Sequence, residues 1–351
     1  MNAAYARPST ARQLCVVWAM PALFLIAGLG SWHSMRRRGA GGFVRERLLR
    51  LGVPLVFATL TILPLPPWLR LKAADPGYDE PYPRFLLRFF DVHLSLSDFP
   101  FVVRGEYFET GHLWFVVLLL AFSLLLAALT AGLPADRVRR ICDAAAGATA
   151  RRGVVLLPAL PLAVIGAVLG MEESFAGWSR WAYLLFFLYG FALAADDRFR
   201  AAMRRDAVPA AVAGVALFAA AGVALDTAGG DPFTDMTAHA AAARVLFALA
   251  GWCWLVAILG LLDRPAPASA EPAPDGRRGR AYAHLGTAAL PLYVLHQPIV
   301  VAAAFVVVQW HLPSPVKYLT IVAASFAIMF AVYELGVRRT RPTRLLFGIR
   351  S

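Results

Sequence analysis

The sequence has few cysteines and few charged side chains for its length. Three cysteines occur in 351 residues, and charged residues make up 16% of the chain. The cysteines are not spaced as metal ligands are, and their number is odd, so we predict neither a metal centre nor a disulfide framework. They are Cys15, Cys142 and Cys253. We also identify no P-loop, no nucleophile elbow and no cleavable signal peptide. These absences disfavour several common classes of soluble enzyme.

Apolar and basic residues are abundant instead. Hydrophobic residues make up 59% of the chain, and the mean hydropathy is +0.61. A soluble domain of this size has too little interior to bury so much apolar surface. The formal net charge is +12, but the basic residues flank the apolar runs, which favours lipid headgroups over nucleic acid as their partners. The composition therefore predicts an integral membrane protein.

Nine apolar runs are each close to the length that crosses a bilayer. About 20 residues at 1.5 Å per residue span ~30 Å of hydrocarbon, and such spans must be helical because lipid offers no backbone partners. We predict an all-α, polytopic bundle in which Pro158 and Pro161 bend or delay the fourth span. The runs cover 14–32, 51–69, 112–131, 154–170, 178–195, 208–226, 242–262, 286–308 and 316–337.

The connections between these runs alternate in charge. Arg-rich connections face the cytoplasm under the positive-inside rule, which places the C-terminus there in a cytoplasmic (inner) membrane. We predict that the acidic stretch 70–111 is an extracytoplasmic loop and that 265–280 is a flexible cytoplasmic linker within one membrane-embedded domain covering 1–351. With an odd number of spans and a cytoplasmic C-terminus, the N-terminal segment with Arg7 and Arg12 would lie outside. A basic segment on that side is contrary to the positive-inside rule, so we expect a further helix to precede it. The Arg-rich connections are 33–50, 132–153, 196–207, 263–285 and the tail after 337.

His296 is the clearest candidate for chemistry within a span. It lies about 16 Å into run 286–308 at 1.5 Å per residue, near the midplane, where an ionisable group is costly. Tyr293 shares its face, Gln297 is adjacent, and Pro298 has no N–H for the carbonyl of Val294. We therefore expect an imidazole, a phenol, an amide and an open carbonyl at one depth. The alternative is a structural polar contact between helices.

His112 is a second candidate, at the outer end of run 112–131. An interfacial His followed by Trp114 is also typical of a membrane belt. Glu106 and Glu109 come just before it, and a carboxylate beside an imidazole orients the ring and raises its basicity. The remaining histidines are interpreted as surface residues: His33, His93, His239, His284 and His311.

Charged pairs at helical spacing lie at the cytoplasmic ends of two spans. Arg47 and Arg50 share a helix face just before run 51–69, and paired guanidinium groups suit phosphate binding. The alternative is positive-inside anchoring. Glu334 and Arg338 are four residues apart, which favours a simple ion pair.

Four motifs, in this order along the chain, resemble the acyltransferase 3 family of integral-membrane acyltransferases. The likeness is strongest to the branch that contains glucan biosynthesis protein C. No single motif is specific, but the set extends from residue 20 to about 340 with a fitting number of helices. The motifs are Met20-Pro21-Ala-Leu-Phe24-Leu-Ile-Ala-Gly28, Arg47-Leu-Leu-Arg50-Leu-Gly-Val-Pro54, Gly111-His112-Leu-Trp114-Phe115 and Pro291-Leu-Tyr293-Val-Leu-His296-Gln297-Pro298.

The resemblance implies a ten-helix O-acyltransferase that takes an acetyl- or succinyl-like group from cytoplasmic acyl-CoA. The acceptor would be a hydroxyl of an extracytoplasmic sugar or glucan, and no metal would be needed. By resemblance, Arg47 and Arg50 contact the donor phosphates, and His112 and His296 lie near the reaction chamber. Glu106, Trp114, Tyr293 and Gln297 would then lie on the substrate side.

One family feature has no counterpart among these residues. The family's first helix carries an Arg and, about ten residues later, a catalytic His; the resemblance implies that Met1 lies just before the family's second helix. We therefore expect His296 to substitute or assist as the base. Two other functions fit the pattern: a transporter or flippase-like carrier with Pro-interrupted helices, and an inactive relative that binds partners.

Overall fold

The computed structural model describes residues 10–263 and 277–349, and most of them are helical. The strands β1 (Val92–Leu94) and β2 (Val103–Gly105) pair antiparallel. The prediction of an all-α membrane bundle is confirmed, with this small hairpin added outside the spans. In chain order the helices are α1 (Thr10–Arg47), α2 (Val53–Thr61), α3 (Leu65–Ala74), α4 (Tyr82–Phe89), α5 (Trp114–Gly132), α6 (Ala135–Ala148), α7 (Ala159–Leu169), α8 (Arg180–Leu193), α9 (Asp197–Thr227), α10 (Ala238–Leu262), α11 (Arg277–Val307), α12 (Ser314–Ala331) and α13 (Arg341–Leu346).

Helices occupy all nine predicted apolar runs, but not all are long enough to cross a membrane alone. Runs 14–32 and 51–69 belong to one long helical segment, and two further runs form the shorter helices Val154–Leu169 and Arg180–Leu193. The protein is thus a multi-pass membrane protein, while the number of crossings is not established as nine. The described residues contain six segments of sufficient length and hydropathy: Val17–Ala74, Gly111–Gly132, Asp197–Thr227, Ala238–Leu262, His284–Val307 and Ser314–Val337.

The Arg-rich connection 33–50 is helical rather than a loop. Helix α1 runs through it to Arg47, with non-helical backbone only at Gly39 (φ 68°, ψ 175°). Arginine is a good helix former, so the arginines of this stretch extend the helix beyond the apolar run although Gly39, Gly41 and Gly42 lie among them. A π-helical turn, Leu48–Gly52, then joins α1 to α2.

Proline delays the fourth apolar run, as predicted. Residues 154–156 form a single 3₁₀ turn, and the regular helix α7 begins only at Ala159, directly after Pro158. Proline is compatible with the start of a helix because its missing N–H would have no intrahelical partner there. The prediction from Pro158 and Pro161 is confirmed.

The predicted extracytoplasmic loop 70–111 contains ordered elements: the end of α3, all of α4 and the β1–β2 hairpin. The predicted linker 265–280 lies, up to residue 276, outside the described residues. From Arg277 onward the chain is helical.

The chain divides into two compact units, each built from two separate stretches. The first contains the described parts of Met1–Phe43 and Leu125–Pro267. In it, α1 and α8 approach backbone to backbone, because a Cβ on Gly28 would collide with the carbonyl of Phe187. Small residues allow such close helix packing in membranes.

The second unit contains Val44–Leu124 and the described part of Ala268–Ser351. Helix α11 packs against α12 and α3, and α13 packs near α2. The rings of Phe57 and Phe347 meet edge to face at 5.4 Å. Gly348 adopts a positive φ of 71° and comes so close to the carbonyl of Arg50 that a Cβ would collide with it. This unit positions the residues considered next.

Candidate active site

His112 is held by two oxygen atoms of α11. A single turn, Gly111–Leu113, leads into α5 and presents the ring to that helix. Its Nδ1 lies 2.7 Å from Oε1 of Gln297, and its Nε2 lies 3.1 Å from the main-chain oxygen of Val294. The backbone N–H of His112 donates to the same Oε1 at 3.0 Å. The loop residue and the helix are therefore joined by three polar contacts.

The carbonyl of Val294 is the open acceptor that the sequence predicts. Pro298 provides no N–H to this oxygen, and the ring of His112 occupies the vacant position at 3.1 Å. A buried acceptor without a donor is costly, so an N–H at Nε2 of His112 would satisfy an acceptor that the helix leaves without a donor. The prediction that Pro298 leaves the Val294 carbonyl open to another partner is confirmed.

His296 is fixed in one tautomer when neutral. Its Nδ1 lies 2.6 Å from the main-chain oxygen of Tyr293. A carbonyl oxygen only accepts hydrogen bonds, so Nδ1 must carry the proton. The lone pair of the neutral ring is therefore on Nε2, which is the arrangement a general base requires.

The two imidazole rings are in contact. The centroids of His112 and His296 are 4.6 Å apart, with the rings nearly perpendicular. The ring of Tyr293 lies 5.4 Å from that of His112 and 5.3 Å from that of His296, and its hydroxyl donates to the carbonyl of His112. The structure thus brings together His112, Tyr293, His296 and Gln297, four of the predicted site residues.

The two histidines differ in how their ring nitrogens are bonded. Both ring nitrogens of His112 face acceptors, because its own backbone N–H identifies the Gln297 atom as the amide oxygen. A neutral ring makes only one of these hydrogen bonds, whereas a protonated ring makes both. Both ring nitrogens of His112 are thus turned toward oxygens of α11, whereas the nitrogen of His296 that meets a main-chain carbonyl is Nδ1.

Gly111 is a positioning residue whose role the sequence does not predict. Its φ is +48°, and a Cβ there would lie 2.9 Å from Oε1 of Gln297. Only glycine combines this backbone conformation with so close an approach. The local signal was a glycine immediately before His112, but its reason lies in a residue 186 positions later in the chain (297 − 111).

The carboxylates predicted to orient His112 have other partners. Glu109 forms an ion pair with Arg70 at 2.5 Å. Glu106 accepts a hydrogen bond from the hydroxyl of Tyr107, and this bond, together with burial, raises the pKa of Tyr107. The ring of His112 is instead oriented by an amide and a main-chain carbonyl. Trp114 begins α5 and packs its ring edge-on against Phe115 at 6.4 Å.

The arginine pair lies around the π-helical turn. Arg47 ends α1 and is 9% exposed, whereas the side chain of Arg50 is 39% exposed and lies 3.8 Å from Glu46. The wider i→i+5 turn changes the angular spacing that an α-helix would give. Arg47 is thus more buried than Arg50, and the phosphate-binding role of the pair stays a prediction.

A comparison with known protein families shows the family to which the chain belongs. The acyltransferase domain of the acyltransferase 3 family matches residues 3–334. The chain belongs to the acyltransferase 3 family. No curated protein and no solved structure matches it.

Within this acyltransferase domain, the matched residues span parts of both compact units and include all the site residues described above. The family supports a membrane acyltransferase in general. The contact between His112 and Gln297 does not follow from the sequence. The two residues are 185 positions apart, and no local periodicity relates them.

Proposed function

We propose that this protein is a membrane O-acyltransferase that transfers an acetyl- or succinyl-like group from cytoplasmic acyl-CoA to a hydroxyl of an extracytoplasmic sugar or glucan. The observation that carries the proposal is the tautomer of His296, whose Nδ1–H is held by the carbonyl of Tyr293 at 2.6 Å. Membership of the acyltransferase 3 family supports the reaction class. The glucan acceptor rests on the motif resemblance alone.

The proposed reaction begins with proton transfer to Nε2 of His296. As the acceptor oxygen loses its proton, it attacks the thioester carbonyl, and a C–O bond forms. The tetrahedral intermediate collapses with cleavage of the C–S bond, and the CoA thiolate leaves and takes up a proton. In this scheme the proton held on Nε2 of His296 is the one returned to the thiolate, so the ring ends neutral.

The other site residues have supporting roles in this proposal. Gln297 and the Val294 carbonyl fix the orientation of His112, and Tyr293 fixes its backbone. Arg47 and Arg50 would bind the donor's phosphates by charge-assisted hydrogen bonds. Glu106, which is exposed, and Trp114 would line the acceptor side. The protein would lie in the cytoplasmic membrane with its C-terminus inside.

The test is acceptor-dependent release of CoA. Purified protein in proteoliposomes is incubated with acetyl-CoA or succinyl-CoA and a glucan, and free thiol and acylated glucan are measured together. An acyltransferase produces equal amounts of both. A carrier moves glucan across the bilayer without releasing thiol, and an inactive relative does neither, so either result would contradict the proposal.

A further inference from the structure

The β1–β2 hairpin carries an exposed apolar face. Side chains alternate between the two faces of a strand, so Val92 and Leu94 share one face, and Val103 joins them because it pairs with Leu94. Leu94 is 76% exposed, and Leu96 at the tip is 82% exposed. Such large apolar side chains in contact with water are unfavourable.

The opposite face of the hairpin is polar. His93 and Arg104 are paired across the two strands. Arg104 forms an ion pair with Asp98 at 3.0 Å, and this carboxylate also accepts from the hydroxyl of Ser95 at 2.9 Å. The ion pair of Arg104 and Asp98 therefore involves the face of the hairpin opposite Val92 and Leu94.

Several backbone polar groups at the tip are bonded to other groups of the tip. The N–H of Ser95 donates to the carbonyl of Val102 at 2.8 Å, and the N–H of Phe101 donates to that of Asp98 at 2.9 Å. A segment whose backbone bonds are internal enters a region poor in water at lower cost than an open loop does. The tip thus meets a main requirement for contact with lipid.

The chain also keeps the hairpin near the bilayer. Gly105 ends β2, and the apolar segment Gly111–Gly132 begins six residues later. At no more than ~3.6 Å per residue, Gly105 at the base of the hairpin lies within about 22 Å of Gly111, where this apolar segment begins. The headgroup region and the hairpin are therefore within reach of each other.

We propose that the face formed by Val92, Leu94 and Leu96 rests in the membrane leaflet at the start of α5, as an interfacial anchor. A lipid surface fits better than a protein partner, because a standard protein interface needs ~800 Å² per partner and this tip presents only a few side chains. The anchor uses apolar contact rather than charge, so neutral lipids suffice.

A polarity-sensitive probe on single cysteines tests this anchor. Cys15, Cys142 and Cys253 are replaced by serine, and Leu96→Cys is labelled in nanodiscs of brominated phosphatidylcholine. His93→Cys, on the same hairpin but on the polar face, is the matched control. We expect blue-shifted emission and quenching of at least twofold at position 96, and water-like, unquenched emission at position 93.

Each other outcome would overturn the proposal. Water-like emission at position 96 would show that the tip does not meet lipid. Equal quenching at both positions would show that the hairpin has no membrane-facing side. Unquenched label at position 96, with disulfide-linked dimers of unlabelled Leu96→Cys, would assign the face to a second copy of the chain. Monodisperse elution of both variants confirms that they are folded.

Discussion

Nε2 of His112 lies 3.1 Å from the main-chain oxygen of Val294, the carbonyl for which Pro298 provides no hydrogen-bond donor. One proline therefore creates an acceptor in the middle of a membrane helix, and one histidine from another segment uses it.

Replacing His296 with alanine should abolish acyl transfer. The variant loses the Nε2 lone pair that accepts the proton, and general-base catalysis contributes roughly 10²–10⁴-fold in rate. Release of CoA in the presence of glucan measures the effect. His311→Ala, which removes an exposed histidine after α11, should retain wild-type activity. Equal activity of the two variants would show that the base lies elsewhere.

Replacing Pro298 with alanine should lower activity by roughly 2–10-fold. The new N–H bonds the carbonyl of Val294 and competes with His112, and a net hydrogen bond contributes about 0.5–1.5 kcal/mol. Pro291→Ala is the control, because it restores a donor in the same helix two turns earlier. The idea fails if both variants change activity equally, since the effect would then come from straightening the helix.

Replacing Gly111 with alanine should reduce both stability and activity. The new Cβ would lie 2.9 Å from Oε1 of Gln297 in a backbone with φ of +48°, and such strain costs about 1–3 kcal/mol. The melting temperature in detergent measures the loss. Gly286→Ala in α11, where a Cβ meets nothing within 4 Å, should be neutral or slightly stabilising. A melting temperature for Gly111→Ala equal to that of this control would contradict the prediction.

Replacing Arg47 with alanine should raise the KM for acyl-CoA about tenfold, with a smaller change in kcat. One charge-assisted hydrogen bond to phosphate is worth about 1.5–3 kcal/mol. Arg45→Ala removes the same charge from an exposed position of the same helix and should leave KM within about twofold. A similar rise in both variants would indicate a general effect of surface charge.

Acid should weaken the ion-pair group at the end of α10. Arg200 and Arg204 both donate to Asp263, the latter at 2.5 Å, and these bonds lower the pKa of Asp263 below its ordinary value of 3.8. The carboxylate therefore stabilises the folded state above pH 3.8, and this contribution is lost as pH falls through the lowered pKa.

Asp263→Asn should accordingly be less stable than wild type at pH 7 by about 1–3 kcal/mol, with the difference shrinking below pH 4. Melting temperatures from pH 7 to pH 3 measure it. Asp136→Asn, in the exposed pair with Arg139, should differ little from wild type at any pH. A difference for Asp263→Asn that stays constant with pH would show that the charge is not responsible.

Local chemistry made part of this structure predictable. Apolar runs locate the helices, Pro158 sets the start of α7, and Glu334 pairs with Arg338 at 2.6 Å as four-residue spacing predicts. Each of these depends on neighbours within one or two turns. The open carbonyl of Val294 also follows from Pro298 alone.

The remainder depends on contacts between distant segments. The sequence predicts His284 as a surface residue, and its side chain is partly exposed; its contact at 2.9 Å between Nε2 and Glu334, in the π-helical turn Val332–Val337, does not follow from the sequence. Helices that are apolar on every side give no signal of which face meets which neighbour. The π-turns at 48–52 and 332–337 likewise have no signature in hydrophobic spacing, so the burial of Arg47 could not be anticipated.

The separation of 185 residues between His112 and Gln297 also has a consequence during synthesis. A ribosome adds about 5–20 residues per second, so about 10–40 seconds pass between the appearance of the two side chains. During that interval the His112 ring has neither of its oxygen partners on α11. The site is thus assembled by one of the last helices to be made, and a ribosome that stops before residue 294 leaves an inserted protein without an assembled histidine pair.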